Sequence, residues 1–524
     1  MIPGLVADLL LLITGWTHVL LAPYSKVEES FNLHATHDTL MYGVGREGLL
    51  LYDHFTFPGA VPRTFIGSVL LAWLTTLFTR FCEALGLFTF SKADLQLAVR
   101  LTLATINALG FILIRRAVST RFGRPTGILY AFLTCSQFHV PFWMGRTLPN
   151  MFALFPVNIA SALLISKKKV KAKADSAGPS SRNLVAALAL LTFAAIVFRS
   201  EVAILVALFA LQALFLSHIS FFNLVKVGLI SALVSAALTV TVDSYFWNQW
   251  PLWPELYTVY FNVYQGKSSE WGTSPAHEYF TSHLPKLLLG SLPLSILGAV
   301  LDARIRTLLV SPIVFTGLIS ALAHKEWRFI VYVVPLFNVA AARGARWMVS
   351  RRKTSFIGWI LFTSAMGILA LNCVLTVIST RASMVNYPGG AALVAFNQRY
   401  AGRENVHVHI SNLAAQTGAS LFLQVNSPPH SIHPTSNWIY SKTESLSYDE
   451  LTASKHITHL IAESPDIGDE WTVIESVAGF SRWKLNLAGG TKSILKRSPR
   501  EWMNILEMEK TEQLWILERK SIGY

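Results

Sequence analysis

Two adjacent acids, Glu28 and Glu29, stand in the polar segment PYSKVEESFNLHATHD (residues 23–38), directly after an apolar run at the amino terminus. A carboxylate near apolar surface can have its pKa raised toward the working pH, which suits a general base. Adjacent helical residues point about 100° apart, so one acid could act as the base while the other orients it. The alternative is structural, because acids also favour the first turn of a helix.

Three more titratable residues follow the acid pair, namely His34, His37 and Asp38. The His-x-x-His spacing puts two imidazoles on one helical face, but the segment lacks the third ligand of a known zinc motif. We therefore predict no metal ion here. The remaining interpretations are contact with a polar substrate and ordinary loop packing, and they apply to these three residues and to Asn32.

A cluster of cations lies far along the chain in the segment HKEWRF (residues 324–329), between two apolar runs. His324, Lys325 and Arg328 would form a seat for the phosphate of a lipid carrier, and the alternative is a charged turn between two helices. Arg146, in the segment GRTLPN, has no carboxylate nearby in the sequence. It could be a further phosphate ligand or a residue that snorkels to the membrane interface.

The loop 243–286 is rich in Trp and Tyr. Amphipathic rings suit the membrane interface, and aromatic faces also stack on sugars, so both roles are open. Trp271 and Thr273 in this loop are our candidates for substrate contact. Elsewhere, Arg199 and Glu201 stand between two apolar runs, where we expect an ion pair or a packing contact.

The composition indicates which elements must position these residues. Of the 524 residues, 52% are hydrophobic and only 14% are charged, whereas soluble proteins carry about 25% charged residues. Several of the apolar runs approach the roughly 20 residues needed to cross a bilayer. We predict a polytopic all-α membrane protein with about eleven transmembrane helices. The first run lacks a basic n-region and a cleavage pattern, so we expect it to be retained.

The basic loops indicate the topology, because short loops rich in Lys and Arg stay on the cytosolic side. The clearest of them is 166–182, and we expect 115–124, 302–306 and the basic cluster between Arg343 and Lys353 on the same side. With a cytosolic amino terminus, every basic cluster falls on that side if region 64–114 crosses the membrane an odd number of times. Loops 23–63 and 243–286, and the GRTLPN and HKEWRF segments, then share the opposite side. The predicted chemistry therefore collects on one face of the membrane.

The chain divides into a transmembrane part, 1–380, and a tail, 381–524. Short strand patterns in the tail, such as ENVHVHI and HITHLIA, alternate with helix candidates, which predicts a small soluble α/β domain. His407 and His409 would share the solvated face of one strand. The net charge of +14 is attributed to topology, because no nucleic-acid-binding motif accompanies it.

The chain resembles the dolichyl-phosphate-mannose-dependent mannosyltransferases of glycosyltransferase family 22, which have the GT-C fold. The resemblance lies in PYSKVEESFNLHATHDTLMYG, YDHFTFPGAVPRTF, SQFHVPFWMGRTLPN, GTSP and HKEWRF, between residues 23 and about 345. Within the family, it is closest to members that form an α-1,6 linkage. The tail segment NLAAQTGASLF adds to the likeness.

The resemblance implies an endoplasmic-reticulum membrane protein with a luminal active site. It implies an inverting, metal-independent transfer without a cofactor, from dolichyl-phosphate-mannose to a mannosylated dolichyl-diphosphate oligosaccharide in N-glycan precursor assembly. The implied base is an acid of the first luminal loop. Relatives often carry Asp-Glu at this point, so Glu28 becomes the candidate base and Glu29 its supporting partner. The family motif often has a second acid where Trp327 stands.

Three alternatives remain open. A related α-1,2-mannosyltransferase or a glycolipid-anchor mannosyltransferase would share many of these segments. A polytopic lipid or solute transporter would also show polar residues among many spans, but its titratable groups would lie near the bilayer midplane rather than at one face. Neither a nucleic acid nor an obligate protein partner is expected.

Overall fold

The structure is a computed structural model, and it describes residues 2–166, 179–267, 270, 272–429, 437–485 and 506–520. The chain separates into two compact units, which we call the helical unit and the mixed unit. The helical unit comprises Met1–Leu20, Phe31–Leu85 and Ala98–Val377. The mixed unit comprises Leu21–Ser30, Gly86–Leu97 and Ile378–Tyr524.

Helices account for most of the described chain up to residue 384. Their bounds are α1 Ile2–Leu21, α2 Val27–Tyr42, α3 Arg46–Leu49, α4 Ile66–Ala84, α5 Lys92–Phe122, α6 Arg124–Cys135, α7 His139–Met144, α8 Pro149–Ile165, α9 Ser181–Phe193, α10 Val202–Phe215, α11 Phe221–Phe246, α12 Pro254–Val259, α13 Leu284–Leu288, α14 Ser291–Leu301, α15 Ala303–Ile319, α16 Val334–Ser350 and α17 Phe356–Met384. A 3₁₀ segment, Trp327–Val333, leads into α16.

Seven of the described helices are long and apolar enough to cross a membrane, or eight if the bent pair Tyr279–Leu288 and Ser291–Leu301 counts as one span. Two shorter apolar helices, Pro149–Ile165 and Val202–Phe215, add to them. Large apolar side chains point outward, as Phe222 does with 84% exposure, which is expected of helices that contact lipid. The prediction of a polytopic helical membrane protein is confirmed.

Helices α1 and α5 pack antiparallel within the helical unit. Asp8, in the first half of α1, accepts a hydrogen bond from Arg115 in the last third of α5, with 2.5 Å between Oδ1 and Nε. Further along α1, Trp16 Nε1 donates to the hydroxyl of Thr105 at 3.0 Å. Because the residue numbers on the two helices run in opposite directions, α5 runs back toward the end of the helical unit at which α1 starts.

Helices α14 and α16 approach each other closely because both carry glycine at the contact. A Cβ atom at Gly298 would lie 2.0 Å from the carbonyl oxygen of Ala340, and one at Gly344 would lie 2.3 Å from that of Leu294. Small residues let the backbones of membrane helices meet in this way. The contact holds α16 against α14. The 3₁₀ segment connects α16 to HKEWRF.

The mixed unit contains a five-stranded sheet in the order β2–β1–β3–β5–β4. β1 pairs in parallel with β2 and β3, whereas β5 pairs antiparallel with β3 and β4. The bounds are β1 His407–Ile410, β2 Ile439–Ser441, β3 His459–Ala462, β4 Trp471–Leu485 and β5 Leu506–Arg519, with helices α18 Pro388–Arg399, α19 Asn412–Gln416 and α20 Tyr448–Ala453. The core packs α18 against the sheet and includes Phe396, Val408 and Ile461.

The solvated strand face predicted for His407 and His409 is wrong for His409, which is 6% exposed. β1 lies between two other strands, so the sheet and its packing helices cover it. Burial, with a contribution from His407, lowers the pKa of His409. His409 is therefore a buried neutral imidazole.

Candidate active site

The two adjacent acids lie in the first turn of α2. Glu29 is 3% exposed, and its Oε1 accepts a hydrogen bond from the backbone N–H of Lys26 at 3.0 Å. A carboxylate often satisfies a free backbone donor at a helix start in this way. Glu28 is exposed, and no described residue donates a hydrogen bond to it. The structural alternative thus accounts for Glu29 and leaves Glu28 as the accessible acid.

The polar residues further along α2 hold it to the loop that follows. His34 Nδ1 lies 3.0 Å from Asp53 Oδ2, and His37 Nδ1 lies 2.9 Å from Asp38 Oδ1. The other oxygen of Asp38 accepts the backbone N–H of Asp53 at 2.8 Å. These contacts favour loop packing over substrate contact. Among the described residues, no group of three or more His, Cys, Asp or Glu side chains could hold a metal ion.

The GRTLPN segment contacts α2 at Asn32. Asn32 is buried, and its Nδ2 donates to the carbonyl oxygen of Thr147 at 2.8 Å. Arg146 is 1% exposed, and its guanidinium carbon lies 4.2 Å from the centroid of the Phe142 ring. The snorkelling alternative is therefore wrong for Arg146, because its side chain is enclosed by the protein rather than extended to the interface.

Glu326, the acid within HKEWRF, contacts two of the predicted phosphate ligands. Glu326 accepts a hydrogen bond from Arg328 Nη2 at 2.7 Å and lies 3.1 Å from His324 Nε2. Burial raises the pKa of Glu326, but Arg328 and His324 outweigh burial and hold this pKa below its usual value. The carboxylate is therefore ionised. An anionic ligand has to displace it before it can bind both cations.

Lys325, the third predicted phosphate ligand, joins two loops instead. It is buried, and its Nζ donates to the carbonyl oxygens of Leu322 at 2.6 Å and Ser274 at 3.0 Å. The GTSP segment therefore lies against HKEWRF. Within it, Thr273 is exposed and adjoins the carbonyl partner of Lys325. Trp271, the other candidate in this loop, lies outside the described residues.

A second group of charged residues joins segments that are distant in sequence. Arg199 and Glu201 form the predicted ion pair, with both Glu201 oxygens within 3.0 Å of Arg199 Nε. Glu201 Oε1 also accepts hydrogen bonds from Asn150 Nδ2 at 3.0 Å and from the Tyr332 hydroxyl at 3.2 Å. One carboxylate thus connects the last residue of GRTLPN with the 3₁₀ segment that begins within HKEWRF.

Arg63 and Glu255 belong to the same group, although the sequence did not single them out. They line one small cavity, and Glu255 Oε2 accepts the backbone N–H of Ser200 at 2.7 Å. Burial, together with nearby Arg199 and Arg328, lowers the pKa of Arg63 to about 10. Burial also raises the pKa of Glu255, against the effect of Arg199 and Arg63. The signal in the sequence was a charged residue beside an apolar or aromatic run.

We call Arg63, Arg199, Glu201 and Glu255 the buried quartet. It contains two cations and two carboxylates, so its formal charge is zero. Buried charges of this kind persist when they are paired and hydrogen-bonded, and removal of one partner is strongly destabilising. Glu201 and Glu255 hold the loops around HKEWRF through their hydrogen bonds, whereas Nη1 of Arg63 is buried without a hydrogen-bond partner among the described residues.

The aromatic loop 243–286 contains both packed and exposed rings. Trp247 donates from Nε1 to the carbonyl oxygen of Arg63 at 2.9 Å, and its ring stacks on Phe31 with 5.7 Å between centroids. Trp250 and Tyr260 remain exposed, at 70% and 49%. Trp247 at the start of the loop is therefore a packing residue, and contact with lipid or sugar stays a prediction for the exposed rings.

Trp327 stands where the family motif often has an acid, and three side chains surround its ring. The ring centroids of His139 and His283 lie 4.7 and 5.4 Å from that of Trp327, and Lys286 Nζ lies 5.3 Å from it. A cation over an aromatic face gains part of the attraction that a carboxylate would provide. In this chain, the ring at this position therefore contacts a cation, Lys286.

Comparison with known proteins identifies relatives over most of the chain. Residues 7–424 match the family described as Alg9-like mannosyltransferase. A Drosophila melanogaster protein named Dol-P-Man:Man(7)GlcNAc(2)-PP-Dol alpha-1,6-mannosyltransferase is 38% identical over 87% of this chain and 63% of its own length. This chain therefore spans less than two thirds of the fly protein. The Arabidopsis thaliana protein of the same name is 35% identical, over 91% of this chain and 90% of its own length.

A solved structure shares the fold at low sequence identity. It is ArnT from Cupriavidus metallidurans bound to undecaprenyl phosphate, with a TM-score of 0.53, 12% identity, and coverage of 86% of this chain and 88% of that one. At this identity the likeness concerns the fold alone. The family match over residues 7–424 and the two long alignments agree with each other. The chain belongs to the Alg9-like mannosyltransferase family.

Proposed function

We propose that this chain transfers mannose from dolichyl-phosphate-mannose to a seven-mannose dolichyl-diphosphate oligosaccharide and forms an α-1,6 linkage. The observation that carries this proposal is the extent of the alignments. Relatives named for this activity align with 84–91% of the chain at 32–38% identity. GPI mannosyltransferases align with only 20–26% of it, so they are the weaker candidates.

In the proposed reaction, a hydroxyl oxygen of the acceptor attacks the anomeric carbon of the donor mannose. The bond from this carbon to the phosphate oxygen breaks, and dolichyl phosphate leaves with the electron pair. Glu28 takes the hydroxyl proton, a step in which a positioned base contributes about 10²–10⁴-fold to the rate. Attack opposite the leaving group converts a β-linked donor into an α-linked product. No metal or cofactor takes part.

The exposure of Glu28 and the helix-start contact of Glu29 support this division of roles. The carboxylate of Glu29 accepts the Lys26 N–H, so protonation of Glu29 would weaken this charge-assisted hydrogen bond and remove a negative charge from the first turn of α2. Glu28 makes no such contact with a described residue. It can therefore exchange its proton without a change in the fold.

Phosphate binding at HKEWRF is proposed to be an exchange of one anion for another. Arg328 and His324 already hold the carboxylate of Glu326, and a phosphodiester carries the same charge. A phosphate that displaces Glu326 gains charge-assisted hydrogen bonds from both residues. Lys325 keeps the loop in place through its carbonyl contacts, and Arg146 remains a proposed further cation for the donor.

We also propose about eleven membrane passages, an endoplasmic-reticulum location, a luminal site and a C-terminal α/β domain over 381–524. The proposed passages are α1, α5, α6, α8, α9, α10, α11, α14, α15, α16 and α17. Helix α4 is left out because α1 and α5 are antiparallel neighbours. If α4 alone crossed the membrane between α1 and α5, these two helices would run parallel. A crossing by α4 would therefore need a second crossing to restore the antiparallel arrangement. Helix α4 would then lie along the luminal interface.

Contacts within the helical unit support this threading. Segments predicted on the cytosolic side contact one another, as Arg121 does with the carbonyl oxygen of Ile165, and Arg343 with Asp302. Segments predicted on the opposite side meet around Glu201. The two groups of contacts share no segment.

The experiment that tests the function uses the purified chain in lipid nanodiscs with dolichyl-phosphate-mannose and the seven-mannose acceptor. We expect an eight-mannose product with a new α-1,6 linkage, identified by linkage-specific mannosidases. A product with an α-1,2 linkage would replace the proposal with its nearest competitor. Movement of lipid or solute across liposomes in the absence of any transfer would support the transporter alternative.

A further inference from the structure

The mixed unit contains the short segment that leads to the two adjacent acids. Residues Leu21–Ser30 belong to this unit and not to the helical unit. Tyr24 packs against the core that Phe396, Val408 and Ile461 help to build. A segment next to the start of a membrane-protein chain is thus part of a core formed by the tail.

Two glycines provide the space for Tyr24. A Cβ atom at Gly390 in α18 would lie 2.4 Å from Cγ of Tyr24, and one at Gly418 would lie 3.0 Å from its Cβ. Gly418 also has φ +121°, a conformation that other residues rarely adopt. The backbone N–H of Gly390 donates to the carbonyl oxygen of Thr417 at 3.2 Å, which joins the two sides of the slot.

A hydrogen bond on one side of Tyr24 and a cation–π contact on the other hold the same segment. Gln96 Nε2 donates to the carbonyl oxygen of Pro23 at 2.9 Å, and its Oε1 accepts the hydroxyl of Ser420 at 2.5 Å. Lys26 Nζ lies 5.3 Å from the centroid of the Tyr387 ring. Gln96 and Ser420 are buried, at 2% and 3% exposure. The segment is thus held at three points within five residues of Glu28.

The tail motif NLAAQTGASLF supplies much of this slot. Thr417, Gly418 and Ser420 all belong to it. The motif was noted above as part of the family resemblance, but neither the proton transfer nor the phosphate site uses it. Its contacts give it a role that the proposed chemistry had left unassigned.

We infer that the mixed unit is the positioning device of the transfer reaction, and that Gly390, Gly418 and Ser420 form a slot that sets the location of Glu28 through Tyr24 and Pro23. This inference rests on the proposed role of Glu28 as the base. A base acts only within hydrogen-bond reach of its proton, and a displacement of about 1 Å can cost about 10²-fold in rate. The slot residues are positioning residues, because none of them contacts a substrate in this proposal.

The test fills the slot in the full-length protein. Gly390→Ala places a methyl group on the Tyr24 ring. We expect kcat to fall 10- to 100-fold, with KM for donor and acceptor unchanged within twofold, because only the base is displaced. Hydrogen–deuterium exchange of the amides in residues 25–30 should become at least tenfold faster. A variant that only lost its fold would show a lower yield of active protein and a lower melting temperature. It would not show a reduced kcat with unchanged KM values.

A matched pair of variants separates the slot from backbone strain. Gly418 and Gly402 both have positive φ, at +121° and +82°, but nothing lies within 4 Å of a Cβ at Gly402. We expect Gly418→Ala to behave like Gly390→Ala, and Gly402→Ala to keep wild-type kcat and exchange. Tyr24→Ala should lower kcat by itself, and the double variant Gly390→Ala/Tyr24→Ala should be no worse, because both changes act through one contact.

Specific outcomes would overturn the inference. Faster exchange in residues 25–30 with unchanged kcat would show that the slot does not position the base. Equal defects in the Gly418→Ala and Gly402→Ala variants would assign the effect to strain. A wild-type protein that transfers no mannose would overturn the proposed function itself. In contrast, an active wild type with an equally active Gly390→Ala variant would overturn the slot alone.

Discussion

The buried quartet and the start of α2 both concentrate carboxylates, and they use them in different ways. In the quartet, Glu201 accepts hydrogen bonds from three different side chains. At the start of α2, Glu29 accepts the Lys26 N–H, but Glu28 is exposed and no described residue donates to it. A fully paired acid stabilises a fold, whereas an unpaired and accessible acid can move a proton. Whether a carboxylate is paired therefore indicates whether it stabilises the fold or can transfer a proton. The position of the acid in the sequence indicates this less well.

The largest effect is expected for the unpaired acid. Glu28→Gln keeps the size of the side chain and removes the base, so kcat should fall about 10³-fold, within the range for general-base catalysis. The melting temperature should stay the same. The measurement is the steady-state rate with the purified variant in nanodiscs. Glu47→Gln, which changes an exposed acid in the same loop, is the control and should remain fully active. A Glu28→Gln variant with normal turnover would end the assignment.

A paired acid should behave in the opposite way. Glu201→Gln leaves Arg199 without its closest counter-charge in a site where both side chains are about 10% exposed. The loss of one partner of a buried pair costs about 3–5 kcal/mol. We expect a lower melting temperature and a smaller folded fraction, with kcat per folded molecule reduced far less than in Glu28→Gln. Normal stability in this variant would show that the quartet is not a support.

Removal of a phosphate ligand should have an intermediate effect on one substrate. Arg328→Gln removes one charge-assisted hydrogen bond to the donor phosphate, so KM for dolichyl-phosphate-mannose should rise about tenfold. KM for the acceptor should not change. Titration of each substrate at saturation of the other measures both values. Arg306→Gln, at an exposed arginine on a predicted cytosolic loop, is the control. An equal rise in both KM values would argue against a donor-specific contact.

The smallest effect is expected at Glu29. Glu29→Gln keeps an acceptor oxygen for the Lys26 N–H but removes its charge from the first turn of α2. The loss should be about 1 kcal/mol of helix stabilisation or less, with a decrease in kcat of only a few-fold. Thermal unfolding and turnover can be measured on the same preparation. If Glu29→Gln lost more activity than Glu28→Gln, the two acids would have to exchange roles.

Features that depend on local patterns were predictable from the sequence. The apolar runs predicted a polytopic helical protein, and the family resemblance was confirmed by the match over residues 7–424. The prediction of an Arg199–Glu201 ion pair was also correct, because the two residues lie only two positions apart. Periodicity and near neighbours contain this information directly.

Features that depend on distant segments were not predictable. Arg63 and Glu255 line the same cavity, although almost two hundred residues separate them. Lys325 was predicted as a phosphate ligand, and its Nζ also donates to the carbonyl oxygen of Ser274, which lies 51 residues earlier in the chain. His409 was expected on a solvated face, but β1 lies inside the sheet. Each of these outcomes is set by tertiary contacts that no short window of sequence encodes.

Glu326 has a consequence for turnover. After transfer, the leaving dolichyl phosphate is a monoester with a charge of about −1.5 to −2 at neutral pH, whereas the donor diester carries about −1. At the proposed phosphate site, Arg328 and His324 would therefore hold the product more strongly than the donor. In the proposed reaction, the tethered carboxylate of Glu326 would return to Arg328 and His324 and assist departure of the spent lipid, at a local concentration that no dissolved anion reaches.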